Sequence, residues 1–215
     1  MYNINMKIAV INASSQISKN NLLYKYTNLY SHSDVINFGC FENDKNKYSY
    51  LEISILIGLL INSKAIDFVV TGCSSGQGMM LACNLLPNVI CGYTPSAKDA
   101  YLFAQINNGN VVSLPLGEEY TYQGETNLIQ TIKALFSKPF GQGYPESEAQ
   151  RKIKDSNLFK NIKHKNQCNF IAYLDSLDKD LISNILKKED VINYILENSN
   201  NIDINNWVTK NKDIN

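Results

Sequence analysis

The chain has 215 residues with equal numbers of basic and acidic side chains, so its formal net charge is zero, and that balance points to neither nucleic acid nor an anionic membrane as partner. The length suits one well-cored domain with an appendage. Five cysteines (Cys40, Cys73, Cys83, Cys91, Cys168), odd in number and without metal-ligand spacing, and two distant histidines (His32, His164) read as reduced thiols in a cytoplasmic protein with no metal site.

Residues 1–6 are short and polar, without a signal-peptide pattern, and lead into a first strand at 7–12 (KIAVIN). A helix is predicted over about 18–30 and a short second strand at 34–38. Residues 48–62 carry Leu51, Ile55, Ile57, Leu59 and Leu60 in a helical pattern. The apolar run inside that segment, 53–61, is far too short to span a membrane. Strand three is predicted at 66–71, a helix at 76–86, strand four at 89–92 and a helix at 96–106. Strand five follows at 110–114 and a helix at 124–136. Near-continuous apolar strands alternating with helices argue for an α/β fold, a parallel sheet covered by helices on both faces.

The Pro/Gly stretch 138–145 (KPFGQGYP) ends the sheet domain, assigned to residues 1–146. Residues 147–215 read as a helical C-terminal extension that packs on the core or on a neighbouring subunit. Its candidate helices are 147–160, 177–187 and 190–198. The asparagine-rich end from 198 to 215 is expected to be loosely ordered, apart from an anchor at Trp207. Arg151, in the first of these helices, is the single arginine of the chain.

The most informative stretch is 67–81 (DFVVTGCSSGQGMML). An apolar strand gives way at Gly72-Cys73 to a Ser/Gly loop and then to an apolar helix. Such a strand–loop–helix joint aims unpaired amides and the positive end of the helix dipole at one spot, suited to a phosphate, a carboxylate or a developing enolate. The same field is expected to depress the pKa of a cysteine placed there, although a cysteine closing a buried strand is often only a small hydrophobe. The glycines at 72, 76 and 78 do not match the dinucleotide fingerprint, and no Gly-Lys-Ser/Thr follows to make a nucleotide loop. In parallel sheets ligands bind beyond the carboxyl ends of the strands, and Cys73 stands at one.

Taken together, several segments resemble the ribose-5-phosphate isomerase B / galactose-6-phosphate isomerase family, in a longer branch that includes 4-deoxy-5-hexosulose-uronate ketol-isomerases. They are KIAVIN (7–12) with Ser15-Gln16, DFVVTGC (67–73) with Gly76 and Gly78, PNVICG (87–92), DAYLFAQINNGN (99–110), and FGQGYP (140–145) leading to Gln150-Arg151. The resemblance implies a Rossmann-like αβα sandwich and a homodimer or tetramer with active sites at the subunit interface. It also implies no cofactor and a small-molecule sugar phosphate or uronate as substrate. The expected chemistry is aldose–ketose isomerisation through an enediolate. Carried over by position, Cys73 is the acid/base and Ser75 supplies a hydroxyl. Ser74, Gly76 and Gly78 belong to the anion loop, Asn107 and Gly109 to a pocket-lining turn, and Arg151 reaches the substrate anion, commonly from the neighbouring subunit.

Departures from the family pattern shape the substrate expectation. Ser74-Ser75-Gly76 stands where Gly-Thr-Gly is usual, and Ala13-Ser14 where the phosphopentose isomerases have Asp-His. Ile106 occupies the place of their ring-opening histidine and cannot move a proton, which favours a substrate that is already open. A second reading is a catalytically weakened member, serving as a subunit of a heteromeric isomerase or as a sugar-acid binding protein. Tyr93 and Tyr101 are expected to be core before ligands and Gln77 a solvated group; by the resemblance Tyr50 and Glu52 begin a helix bordering the pocket and stand behind its ligands, and Cys83 and Cys91 are packing residues.

Overall fold

The computed structural model describes residues 6–119 and 122–212. The polar stretch before Met6 and the last three residues of the asparagine-rich end lie outside these. Five strands, β1 (Lys7–Ile11), β2 (Asp34–Gly39), β3 (Phe68–Cys73), β4 (Cys91–Tyr93) and β5 (Val111–Pro115), form one sheet in the order β2-β1-β3-β5-β4. Every pairing is parallel. Alternate residues of β1 serve opposite faces, Ile8 and Val10 in one apolar cluster and Ala9 and Ile11 in the other, as strand geometry requires. Helices α1 (Asn20–Ser31), α4 (Ala97–Leu102) and α5 (Gly124–Leu135) cover the first face. Helices α2 (Tyr50–Asn62) and α3 (Gln77–Asn84) cover the second.

Strand β3 begins and ends two residues later than the pattern predicts. Its pairing with β5 continues through Gly72↔Leu114 and Cys73↔Pro115, so the ladder carries the cysteine to the rim of the sheet. The helix expected over 96–106 ends its regular turns at Leu102 and passes into a π turn at Phe103–Asn107, where the Asn108 N–H donates to the Phe103 carbonyl at 3.0 Å.

Beyond the linker lie α6 (Ala149–Lys165), α7 (Phe170–Asp175), α8 (Lys179–Leu186), α9 (Glu189–Asn198) and α10 (Ile202–Lys212). The expectation of a loosely ordered end is wrong for residues 202–212. Helix α10 buries Ile204, Trp207 and Val208, and Trp207 Nε1 donates to Asp175 at 2.7 Å. Burying side chains of that size contributes about 1.5–3 kcal/mol each, enough to outweigh a polar, asparagine-rich composition. Trp207 does act as the anchor. Helix α7 carries no sequence signal beyond Asn169, whose side chain caps its first turn.

The extension explains an oddity of α2. That helix is apolar all round, with ten of its thirteen residues buried, as expected of a helix with no solvent face. One side rests on the sheet and the other on α8 and α9, and all share one apolar cluster. Gly58 makes the contact with α7 close: a Cβ there would stand 3.0 Å from the Phe170 ring. A capping box formed by Ser49 and Glu52 starts the helix.

Candidate active site

Strand β1 leads on to β2 on one side while its other neighbour is β3. The connections leave in opposite directions at this point and open a crevice at the carboxyl ends of the strands. A cavity of about 380 Å³ occupies it. Ala13 and Ser15 line it from the end of β1, Tyr48, Ser49 and Tyr50 from the start of α2, and Cys73, Ser74, Ser75 and Gly78 from the β3–α3 joint.

The joint is held from both sides. The Ala13 N–H donates to the Gly72 carbonyl at 3.1 Å. The Leu116 and Gly117 N–H groups donate to the carbonyls of Cys73 and Ser74 at 3.0 and 2.9 Å. Gly76 caps α3 with φ +74°, a left-handed value that glycine adopts without strain. A Cβ there would lie 2.8–2.9 Å from the β5 backbone at Leu114 and Pro115 and from the Tyr93 ring. Its carbonyl accepts from Ser113 Oγ at 2.6 Å. Gly78 differs, since a Cβ there would make only ordinary contact with Tyr50.

Cys73 is buried, with 7 % of its surface exposed. Ser74 Oγ accepts from Gln16 Nε2 at 2.9 Å. Ser75 Oγ accepts from the Gln77 N–H at 3.3 Å, leaving its own hydroxyl proton to donate outward. The first turn of α3, with the amides that no helix can pair internally, opens on the cavity at Gly78. A thiol, a hydroxyl and the positive end of a helix therefore border one small, largely apolar hollow. That set can take a proton from carbon and stabilise the negative charge left on oxygen.

The remaining candidates lie elsewhere. Asn107 is exposed at the end of the π turn, and its carbonyl accepts from Ser156 Oγ of α6 at 2.9 Å. Gly109 lies against the Phe103 ring. Arg151 is 57 % exposed and paired with Glu148 and, at 3.1 Å, Asp155. Its hydrogen bond holds the Glu148 carboxyl below the usual carboxylate range. Topology accounts for the separation. Val111 at the start of β5 pairs with Val69, not with Cys73. At about 3.3 Å per residue, the turn before β5 stands on the order of 20 Å from the cysteine, at the other end of the sheet.

The sequence pattern assigns Gln16 no side-chain role and places Tyr48 only as the first residue of a helix, which in fact starts at Tyr50. Gln16 orients Ser74 across the crevice. Tyr48 is clamped to Ser14, its N–H donating to Ser14 Oγ at 2.7 Å while the Ser14 N–H donates to its carbonyl at 2.9 Å. Burial pushes the Tyr48 hydroxyl up. Glu52 is committed to the α2 cap and to Asn184. Tyr101 stacks edge-on to Tyr144, and Gln77 is exposed. Cys83 and Cys91 are buried in the core, and burial, reinforced by Cys83, pushes the Cys91 thiol well up. Among the described residues no group of three or more His, Cys, Asp or Glu side chains could hold a metal ion, and no helix is long and apolar enough to cross a membrane.

The model of the ribose/galactose isomerase family matches residues 8–155. The chain is similar to the crystal structure of a 4-deoxy-L-threo-5-hexosulose-uronate ketol-isomerase complexed with a tartrate. That match has 34% identity and a TM-score of 0.90, covering 97% of this chain and 100% of the other. It is also similar to a ribose-5-phosphate isomerase from Vibrio parahaemolyticus, with 31% identity, a TM-score of 0.89, and 96% and 99% coverage. A type B ribose 5-phosphate isomerase from Trypanosoma cruzi shares the fold at 18% identity and a TM-score of 0.61, with 74% of this chain and 99% of that one aligned. No curated protein sequence matches the chain.

Proposed function

The chain belongs to the ribose/galactose isomerase family and is an isomerase, and from that premise we propose that it interconverts an open-chain aldose and ketose by moving a proton between adjacent carbons. The observation that carries this reading is Cys73, buried at the carboxyl end of β3, in the same hollow as the first turn of α3. The Cys73 thiolate takes the proton from the carbon beside the carbonyl, and the electron pair moves onto the carbonyl oxygen to give an enediolate. The α3 amides hold the oxyanion. Ser75 passes the hydroxyl proton from one oxygen to the other, and the Cys73 thiol returns its proton to the neighbouring carbon. Atoms and charge balance without a cofactor.

A 4-deoxy-5-keto-uronate fits better than a cyclic sugar phosphate. Ala13 offers no acid or base, the Ser14 oxygen already accepts from Tyr48, and Ile106 cannot open a ring. Matches to a uronate isomerase and to a ribose-5-phosphate isomerase are nearly equal, so the preference rests on these residues.

The site is completed by a second copy. Asn107 and Gly109 stand at the opposite end of the sheet from Cys73, with α6 and its Arg151 packed on the same π turn, so in this reading they serve a neighbour's Cys73. Exposed Leu81 on α3 and Leu85 just after it, with Leu158, Phe159 and Ile162 on α6, supply the apolar surface that such a pairing would cover. The test is turnover of the purified protein on a linear 4-deoxy-5-keto-uronate and on ribose 5-phosphate, with light scattering on the same sample. A clean monomer sinks the shared site. Faster conversion of ribose 5-phosphate overturns the substrate preference, and no conversion of either hands the chain to the reading of a subunit or sugar-acid binding protein.

A further inference from the structure

Lys188 is 4 % exposed and is the single charged residue buried among the described residues. Burying an ammonium is costly unless charges and dipoles around it compensate, so its surroundings carry information. Lys188 stands just ahead of α9. Its Nζ lies 3.1 Å from both carboxylate oxygens of Asp190 and 3.9 Å from Asp44. It also lies over the rings of Phe41 and Tyr48, at 5.9 and 5.7 Å from their centroids, within reach of a cation–π attraction.

Three of these four partners, Phe41, Asp44 and Tyr48, belong to the loop between β2 and α2. Asp190 belongs to the extension. The loop ends at Tyr48, whose backbone is fastened to Ser14 and whose side lines the cavity that holds Cys73. Tyr48 also borders a second, open hollow of about 720 Å³, together with Lys188 and Asp44. The cavity wall thus has empty space behind it, and the ammonium bridges that space.

We propose that Lys188 is a positioning residue for the isomerase pocket: delivered by the C-terminal helices, it pins the 41–48 loop so that Tyr48 forms a fixed wall of the cavity beside Cys73. The assignment rests on the isomerase reading of that cavity. Phe41 and Asp44 hold each other, the Phe41 N–H donating to the Asp44 carboxylate at 2.8 Å, so without the charge this turn loses its tie to the extension and the wall can relax into the hollow. The C-terminal extension then takes part in the chemistry at a distance.

The experiment compares Lys188→Met, Lys188→Arg and Asp44→Asn with wild type, and uses the exposed neighbour Lys187→Met as control. Three quantities are read: kcat and KM on the keto-uronate, peptide-resolved iodoacetamide rates at Cys73, and amide exchange over residues 41–48. Lys188→Met is expected to lower kcat/KM about tenfold or more, since small misplacements of a site are costly, with Cys73 alkylated faster and the loop exchanging faster. Lys188→Arg should recover part of each, Asp44→Asn should show the same changes more weakly, and Lys187→Met should match wild type. A Lys188→Met protein with lowered Tm but unchanged kcat/KM and Cys73 rate shows that the lysine serves stability alone. If that variant does not fold, Asp44→Asn decides: unchanged kcat/KM and Cys73 rate overturn the proposal. An isomerase reading that fails shows in the wild type, whereas this proposal then stands or falls on the Cys73 and exchange differences.

Discussion

The two ends of the sheet are built by different rules. At the carboxyl end of β3 the surface is concave, turns on Gly76, and presents the Cys73 sulfur, hydroxyls and helix amides but no Asp, Glu, Lys, Arg or His side chain in the cavity lining. At the opposite end, before β5, the surface carries an exposed Asn107 and α6, with Arg151 near its start and a row of apolar side chains further along. In the proposed reaction the first end moves the proton and the second supplies the guanidinium for the substrate anion. Under the proposal of a shared site, these are the two halves of one site, carried by each chain at opposite ends of its sheet.

The sharpest way to break that comparison is at the thiol. Cys73→Ala is expected to cost about 10²–10⁴-fold in kcat with the fold intact by circular dichroism, and Cys73→Ser nearly as much. Wild-type turnover in either would end the mechanism given above. Mixing Cys73→Ala with Arg151→Ala subunits then tests whether the halves meet across a dimer. Each mixed dimer keeps one intact site, so at substrate well below KM random exchange should bring the mixture to about a quarter of wild-type activity; a mixture no faster than the average of its two impaired parents argues that each chain works alone.

Gly76→Ala probes the joint. The left-handed φ and the nearby β5 backbone make it cost about 2 kcal/mol or more, a Tm loss of several degrees by calorimetry. Arg151→Ala alone should raise KM and spare kcat if the guanidinium grips substrate and transition state equally. Smallest of all is the Glu148–Arg151 pair. Glu148 is held below its ordinary value, so any stability the pair supplies is present above the ordinary carboxylate pKa and lost as pH falls through the lowered one. The pair is exposed and screened, and Glu148→Gln should move Tm by no more than the limit of detection at any pH.

Much of this is legible in the sequence. Apolar runs marked all five strands, and the Ser/Gly joint after β3 marked the cysteine. The π turn at Phe103–Asn107 was not, because its pattern is that of an ordinary helix. Strand order was hidden, but the parallel sheet alone already put Asn107, ahead of β5, and Cys73, at the end of β3, at opposite ends. Helix α10 was obscured by its asparagines, since propensity is weak where Trp207 and Ile204 can be buried. Lys188 reads as one more surface lysine in a lysine-rich extension until Phe41, Asp44 and Tyr48 are seen to converge on it.

The apolar character of α2 has a consequence for biosynthesis. Its outer side is covered by α8 and α9, with Phe170 of α7 closing over Gly58, and α10 completes the same cluster at Val208. The ribosome finishes α2 at Asn62 and must add about 150 more residues, roughly 7–30 s at 5–20 residues per second, before Val208 exists. For that interval the nascent chain carries a helix with one uncovered apolar side. A message that stops short near residue 150 leaves it uncovered for good, so premature termination here should yield aggregate rather than a smaller working enzyme.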